Sequence, residues 1–500
     1  MTVIRNDPFL LQSQIVMQRR NFLKRLAGAG ALATAPAAHL LGADRPLNGS
    51  YVKGKVTAAG KGLAGVVVSD GYTVTATDPA GNYRIALHSD AGFVFISIPA
   101  GYHIPQEKGI ARFYQPLLRE QATQTANFDL QRNTLDDHKH ALVIWADTQM
   151  VKDEDAVTLL NVSAPDTAAE VRSLGNIPVH GITVGDLVHD RFDLFDDYAK
   201  AVEATGIPFF QVIGNHDMNY AARTDEGSQQ QFRKLFGPNY FSFNRGRVHY
   251  VMLDDVFFIG RGHSYIGYLT ETQLAWLEKD LQYVPAGSTV IVSLHIPTNT
   301  GQKEREGMKE EPAGGVVSNR QHLYELLRPY KVHIMSGHTH WNESWEKDHI
   351  MEHNHGTVCG AWWRPQQVAA DGTPNGYAIY EIDGDTVQWY YKSTGKPREL
   401  QMRLYKPGSV AARPGAVIAN VWNWDPQWKV EWWEDGQAKG VMEQIRCQDP
   451  VVVASYPAHM HVRSDHFFAA VPAAGTKALT VQATDRFGKV YKEELRLTPL

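Results

Sequence analysis

The sequence predicts an α/β region flanked by two small all-β sandwiches. Three patterns predict it. Between residues 139 and 395, apolar runs of strand length alternate with stretches of helical period. From 47 to 131 the chain reads as short strands, with turn signals every ~8–12 residues and no helical period. From 400 to 500 it returns to short strands.

A chain of 500 residues suits roughly two to four domains. The hydrophobic share of 43% and charged share of 21% belong to an ordinary soluble globular protein. A net charge of −5 supplies no global basic field, so binding of a nucleic-acid duplex is not expected. The two cysteines, Cys359 and Cys447, fall in different predicted domains. Two free buried thiols are expected there rather than a disulfide framework.

Residues 1–43 read as an export address. Gln18-Arg19-Arg20-Asn21-Phe22-Leu23-Lys24 matches the twin-arginine pattern R-R-x-F-L-K. The apolar stretch from Leu26 to Ala38 that follows is too short to span a ~30 Å bilayer core as a stable helix. Small residues suited to cleavage stand at Ala35-Pro36-Ala37 and Leu41-Gly42-Ala43, and Met17 is an alternative start. No other segment reads as a membrane span.

In the first β region, strands are expected at Tyr51–Val56, Val66–Val68, Thr73–Thr77, Tyr83–Leu87, Phe93–Ile98 and Ala126–Leu130. Gly60-x-Gly62-x-x-Gly65 formally matches a dinucleotide fingerprint, but it opens no helix and reads as a hairpin loop. In the α/β region, Phe192, Phe195, Tyr198, Ala199 and Val202 share one helix face. Thr270-Glu271-Thr272-Gln273 opens a helix as a capping box, and Ser318-Asn319-Arg320-Gln321 is expected to do the same. The Gly/Glu/Lys-rich segment Thr298–Val317 reads as a lid, a binding loop or a disordered insertion.

The last region is expected to hold strands at Val417–Val421, Trp428–Trp433, Val451–Ala454, Phe467–Val471, Leu479–Thr484 and Val490–Leu497. Asp435-Gly436 is a hairpin turn signal. Trp422, Trp424, Trp428, Trp432 and Trp433 crowd together. Packing is favoured for them over a platform for a sugar or lipid headgroup.

The α/β region carries the chemistry. Its apolar runs end in polar clusters, which cost a few kcal/mol per unpaired group if buried in a core. Open α/β sheets place ligands at such strand ends. Ala141–Trp145 leads to Asp147 and Gln149, and Gly181–Val184 leads to Gly185-Asp186. Phe209–Ile213 leads to Gly214-Asn215-His216-Asp217. Thr289–Leu294 leads to His295, and Val332–Met335 leads to Gly337-His338-Thr339-His340. Asp147, Gln149, Asp186, Asn215, His295, His338 and His340 form an oxygen and imidazole set without thiolate, which suits Mn, Fe or Zn. Seven donors are too many for one tetrahedral ion and suit two ions sharing a carboxylate, with Asp186 the natural bridge. Asp-x-Gln and His-x-His would place both members of each pair on one side of an extended backbone.

These five blocks, in this order, resemble the metallophosphoesterase (calcineurin-like phosphoesterase) superfamily. The flanking regions resemble a subfamily with an N-terminal transthyretin- or carboxypeptidase-regulatory-like sandwich and a C-terminal β-domain. Ser69-Asp70-Gly71, Asp78 with Gly81-Asn82-Tyr83, and Thr484-Asp485-Arg486-Phe487-Gly488 carry that likeness. The resemblance implies a central four-layer α/β/β/α sandwich and two divalent or trivalent ions. One ion would be held by Asp147, Gln149, Asp186 and His340, the other by Asp186, Asn215, His295 and His338. His216 would face the scissile phosphate and stabilise or protonate the leaving oxygen. The implied reaction is in-line attack on phosphorus by a metal-bound hydroxide.

Two departures from the family pattern stand out. Gln149 replaces the usual His of the first motif, and a neutral amide oxygen is the weaker ligand. His189 stands where the family often has an Asp that orients the catalytic His, and Asp190 follows it. The partner of His216 is therefore left between Asp190, Asp217 and neither.

Other histidines are read as structural (His180, His249, His333), as a solvated loop in preference to a wall of the substrate pocket (His349, His353, His355) or as belonging to no site (His459, His461, His466). The expected protein is an exported, periplasmic or secreted phosphodiesterase, carried folded by the twin-arginine machinery. Its substrate would be a small-molecule or envelope phosphoester. The alternatives are a phosphomonoesterase with the same site, or a non-catalytic envelope-glycan-binding protein. No Gly-x-Ser-x-Gly elbow, His-Glu-x-x-His helix or P-loop appears.

Overall fold

The computed structural model describes residues 46–118 and 121–497. The twin-arginine segment, the apolar stretch after it and Met17 lie outside the described residues. Among the described residues, no helix is long and apolar enough to cross a membrane.

Two sheets carry the site. Their strands within the α/β region, numbered in chain order, are β1 (Lys139–Trp145), β2 (Val179–Val184), β3 (Phe209–Val212), β4 (Phe241–Arg245), β5 (Val248–Met252), β6 (Thr289–Ser293), β7 (Lys331–Ser336), β8 (Glu343–Lys347), β9 (Ile350–Asn354), β10 (Gly376–Asp383) and β11 (Thr386–Ser393). The first sheet runs β11-β10-β1-β2-β3, and the second runs β4-β5-β6-β7-β9-β8. β1, β2 and β3 are parallel, as are β5, β6, β7 and β9. Parallel strands are buried on both faces, which is why these runs read as continuous apolar stretches.

Alternation along β1 and its neighbours sorts the layers. Leu142, Ile144, Ile182, Val184, Phe210 and Val212 share a core with Val290, Val292 and Ile334 of the second sheet. Val143, Trp145 and Phe209 face the other way, onto Leu159, Phe195 and Tyr198. Helices α1 (Ala164–Ser173) and α2 (Phe195–Thr205) cover that outer face. Helices α3 (Glu271–Leu281) and α4 (Arg320–Leu327) pack on the second sheet through Leu274, Leu277, Leu323 and Leu327. The result is the expected four layers. Thr270 caps α3 by accepting the Gln273 amide. Ser318 does not cap α4: its hydroxyl donates to Gly267 O, 2.5 Å away, and Asn319 pairs with Leu269 instead.

The first β region folds on a long strand, Pro46–Ala58, paired with Asn82–His88. The turn after it holds Ala59 and Gly60 at positive φ, so the glycine-rich stretch is the hairpin loop expected. A second sheet runs Val74–Ala76, Val67–Ser69, Phe93–Ile96, Tyr114–Pro116. This region has no sealed core of its own. Val68, Phe95 and Phe113 join the cluster that holds Phe241 and Trp276, and Phe113 lies 4.2 Å from Phe241 between ring centroids. Ile110–Ala111 also leaves the β region and pairs with Phe209, extending the first α/β sheet at its β3 edge.

The last region is two four-stranded sheets around Val417, Ala419, Val421, Val430, Leu479 and Val481. Trp422 and Trp428 are buried, and Trp424 and Trp432 pack against this core. Val451–Ala454 is not a strand. It lies in helix α5 (Pro450–Ser455), because Asp449 accepts the amides of Val451 and Val452 and Pro450 starts the first turn. Cys359 and Cys447 are both free and buried.

Candidate metal centre

Register brings the motifs together. Trp145 pairs with Thr183, and Val184 with Val212, so Asp147, Asp186 and Asn215 leave the first sheet at one edge. Ser293 pairs with Met335, so His295 and His338 leave the second sheet side by side. The facing sheets deliver both sets to one place.

The geometry is tight. His295 Nε2 lies 3.0 Å from Asn215 Oδ1, 3.2 Å from His338 Nδ1 and 3.3 Å from Asp186 Oδ1. His340 Nε2 lies 3.4 Å from Asp147 Oδ1. Asp147, Asp186 and His340 present ligand atoms all within 4.8 Å of one another. Gln149 Nε2 donates to Asp186 Oδ2 at 2.9 Å, while Gln149 Oε1 is buried without a partner. All seven residues expected as ligands are therefore in one cluster.

This donor set fits a pair of cations on structural grounds. A single proton on His295 Nε2 cannot satisfy three acceptors that converge on it. Lone pairs aimed at one volume, and a buried amide oxygen left unpaired, are what a bound cation relieves. Hard oxygen and imidazole donors suit Mn, Fe or Zn.

The backbone is strained to achieve this. Asp147, Gln149, Asp186, His338 and His340 adopt φ of 46°, 39°, 50°, 68° and 61°. Left-handed non-glycine residues cost of order 1–3 kcal/mol each and cluster at functional sites. The Asp-x-Gln and His-x-His pairs are thus not on an extended backbone, as the sequence suggested; each member turns inward by a left-handed step. Gly185 is required for two reasons. Its φ is 86°, and a Cβ there would sit 2.3 Å from His295 Nδ1.

Electrostatics follow the packing. Burial alone would raise the Asp186 carboxyl, but the His295 and His216 imidazoles hold it well below the usual carboxylate range. Burial would lower His295, yet Asp186 raises it to about 10. His338 falls to about 3, through burial and the neighbouring His295. Burial and the nearby Asp186 raise Asp217 to about 7.

The partner of His216 is Asp190. His216 Nδ1 lies 3.1 Å from Asp190 Oδ1, and the His189 ring stacks on His216 at 3.8 Å. Asp217 is occupied elsewhere, accepting the amides of Leu187, Val188 and Gly214.

A cavity of about 290 Å³ opens over the cluster. Gln302 and Glu306 line it, from a helix inside the Thr298–Val317 segment, so that segment is a site-forming loop. Tyr265, Trp362 and His459 also line it. Sequence reasoning missed these walls and assigned His459 to no site. The one available signal was the adjacent Trp362-Trp363 pair, which the structure holds at positive φ. Two other histidine readings change. His353 and His355 are buried, not in a solvated loop, and His466 Nε2 faces Asp371 Oδ2 at 3.2 Å.

Comparison with known proteins finds one family along the described chain. The family profile described as Calcineurin-like phosphoesterase matches residues 121–342. The profiles described as its N terminal and C terminal match residues 50–133 and 352–491. Purple acid phosphatase 15 of Arabidopsis thaliana is 30% identical over 184 residues, 34% of this chain and 30% of that protein. A probable cyclic nucleotide phosphodiesterase of Moraxella catarrhalis is 25% identical over 169 residues, 32% of this chain and 57% of that protein. The chain thus spans about a third to somewhat over half the length of these curated relatives. A solved dimetal phosphatase from Danio rerio aligns with TM-score 0.37 and 14% identity, over 51% of this chain and 96% of that one. With the three profiles running in order from residue 50 to residue 491, the chain belongs to the calcineurin-like phosphoesterase family.

Proposed function

We propose that this chain hydrolyses a phosphodiester at the cluster beneath the cavity. The observation that carries the reading is the convergence of Asn215, Asp186 and His338 on His295 Nε2, beside Asp147 and His340. Asp147, Gln149, Asp186 and His340 would hold one ion, and Asp186, Asn215, His295 and His338 the other. When bound, such ions activate water and neutralise charge on the phosphoryl oxygens.

The chain's own residues do the rest. Asp190 takes the Nδ1 side of His216, which leaves Nε2 to face the substrate. From there it donates a proton to the departing oxygen. The His189 ring stacked on His216 and the His216 amide bonded to Asp186 Oδ1 at 2.8 Å fix its orientation. Among the described residues lining the cavity none is Lys or Arg. The second negative charge of a monoester would meet no Lys or Arg there, which favours a diester. The phosphatase relative keeps the monoester reading as the alternative.

Export is also proposed, supported by Arg19-Arg20-Asn21-Phe22-Leu23-Lys24 and the apolar stretch after it. Fractionation of cells expressing the wild type and an Arg19→Lys, Arg20→Lys variant tests it, and an unchanged distribution would refute it. For the activity, the test is metal analysis followed by hydrolysis of bis(p-nitrophenyl) phosphate and p-nitrophenyl phosphate with Mn, Fe or Zn added. Diester turnover that chelator abolishes is expected. Chelator-resistant turnover, or none with any metal, overturns the reading.

A further inference from the structure

Resting on the phosphodiester reading, we infer that the cavity wall beside the metal cluster binds a cationic nitrogen on the substrate's alcohol, a quaternary or primary ammonium. Trp362 carries the inference. It is a large apolar side chain left 38% exposed, and its backbone is held at φ 52°. Strain of this kind persists only where the surroundings enforce it. Its neighbour Trp363 supplies the anchor: at φ 54°, its Nε1 donates to Thr148 O at 3.0 Å, beside Gln149. Trp362 is thereby turned toward the cavity. It meets His340 at 5.3 Å and His189 at 6.4 Å between ring centroids, both at steep angles, and keeps exposed surface.

The other walls complete the chemistry. Tyr265 lines the same cavity, its ring edge-on to His338 at 6.0 Å. Glu306 brings a carboxylate, held by Gln302 Nε2 at 3.0 Å. Aromatic faces with a carboxylate and no lining Lys or Arg make a cation site rather than an anion site. The nearby Arg305 does not oppose this: it pairs with Glu343, stacks over Trp341 at 5.1 Å and is itself nearly buried. A phosphodiester joined to an amino alcohol would place its phosphate on the cluster and its nitrogen between Trp362 and Glu306.

The test is calorimetric titration of the metal-loaded protein with choline and with 3,3-dimethylbutanol, its neutral isostere. Choline is expected to bind at least about 10-fold more tightly, and Trp362→Ala or Glu306→Gln to weaken choline by about 5- to 30-fold while leaving the isostere within about 3-fold. Equal binding of the two, or no loss in either variant, overturns the inference, as does preferential binding of adenosine, which would make the wall a nucleobase platform. Wild-type hydrolysis of bis(p-nitrophenyl) phosphate, which carries no cation, is measured in parallel. Choline binding without that hydrolysis would refute the phosphodiester reading alone; hydrolysis without choline preference would refute the cation site alone.

Discussion

Asp190 Oδ1 receives His216 Nδ1 at 3.1 Å, across a loop that the usual acid of this motif does not occupy, because His189 stands there and stacks on His216 instead. The carboxylate that meets the imidazole is the next residue along the chain. Its left-handed backbone, φ 59°, turns the side chain back to the imidazole.

Asp190→Asn is therefore expected to lower kcat by about 10- to 100-fold with a smaller change in KM, since a partner that orients an imidazole typically has that weight. His216→Ala should cost about 10²- to 10⁴-fold, the usual range for a positioned acid. Both variants should keep their metal content. Loss of metal in Asp190→Asn would show that the residue serves the ions and not His216.

Asp186→Asn should lose at least one ion and nearly all activity, because Asp186 touches Gln149, His295 and the His216 amide at once. Metal analysis beside circular dichroism separates this from unfolding. An Asn variant with full metal content and activity would remove Asp186 from the bridging position.

Chelator should lower Tm as well as abolish turnover. Anything that binds the folded chain and not the unfolded one adds about 2.7 kcal/mol at 100 times its Kd. A Tm identical with and without chelator would mean that no ion is held at the cluster.

Gly185→Ala should destabilise the protein by about 2 kcal/mol or more and displace His295. The added Cβ must adopt a left-handed backbone and meets the His295 ring. Urea denaturation measures it, and a loss within about 0.5 kcal/mol would contradict the close approach.

The buried histidines should withdraw stability as pH drops from about 6.5 toward 4, against the opposite contribution of carboxyls that burial raises, Asp217 and Asp255 to about 7 and Glu352 to about 8. His333 and His355 are lowered to about 4 and His140 to about 3, and burial is the first cause in each. Burial also lowers His180 and His353. The unfolded chain binds protons at these positions below its ordinary value of about 6.5, while the folded chain does not. Their stabilising effect is therefore full above that value and is lost as pH falls through the window. Each His adds a slope approaching about 1.4 kcal/mol per pH unit. Denaturation midpoints of the wild type and His355→Gln at pH 7, 6, 5 and 4 isolate one histidine's share: the variant should lose less stability on acidification than the wild type, and parallel pH profiles would refute it.

The sequence by itself determined the strand ends and what they carry. Runs such as Phe209–Ile213 and Thr289–Leu294 must be buried strands, and Asn215-His216 and His295 cannot share that burial without partners. Tertiary packing decided the rest. Val451–Ala454 became helical because Asp449 and Pro450 supply a helix start that outweighs β-branched propensity. His353 and His355 were buried because β9 lies inside the second sheet, between β7 and β8. Ile110 joined the first sheet from another region of the chain. Asp190 became the partner of His216, and Trp362, Tyr265 and Glu306 became walls of one cavity, through contacts between residues far apart in sequence. Local residue pattern encodes which groups need burial or a partner; which partner each one finds depends on how two sheets and three loops close on one another.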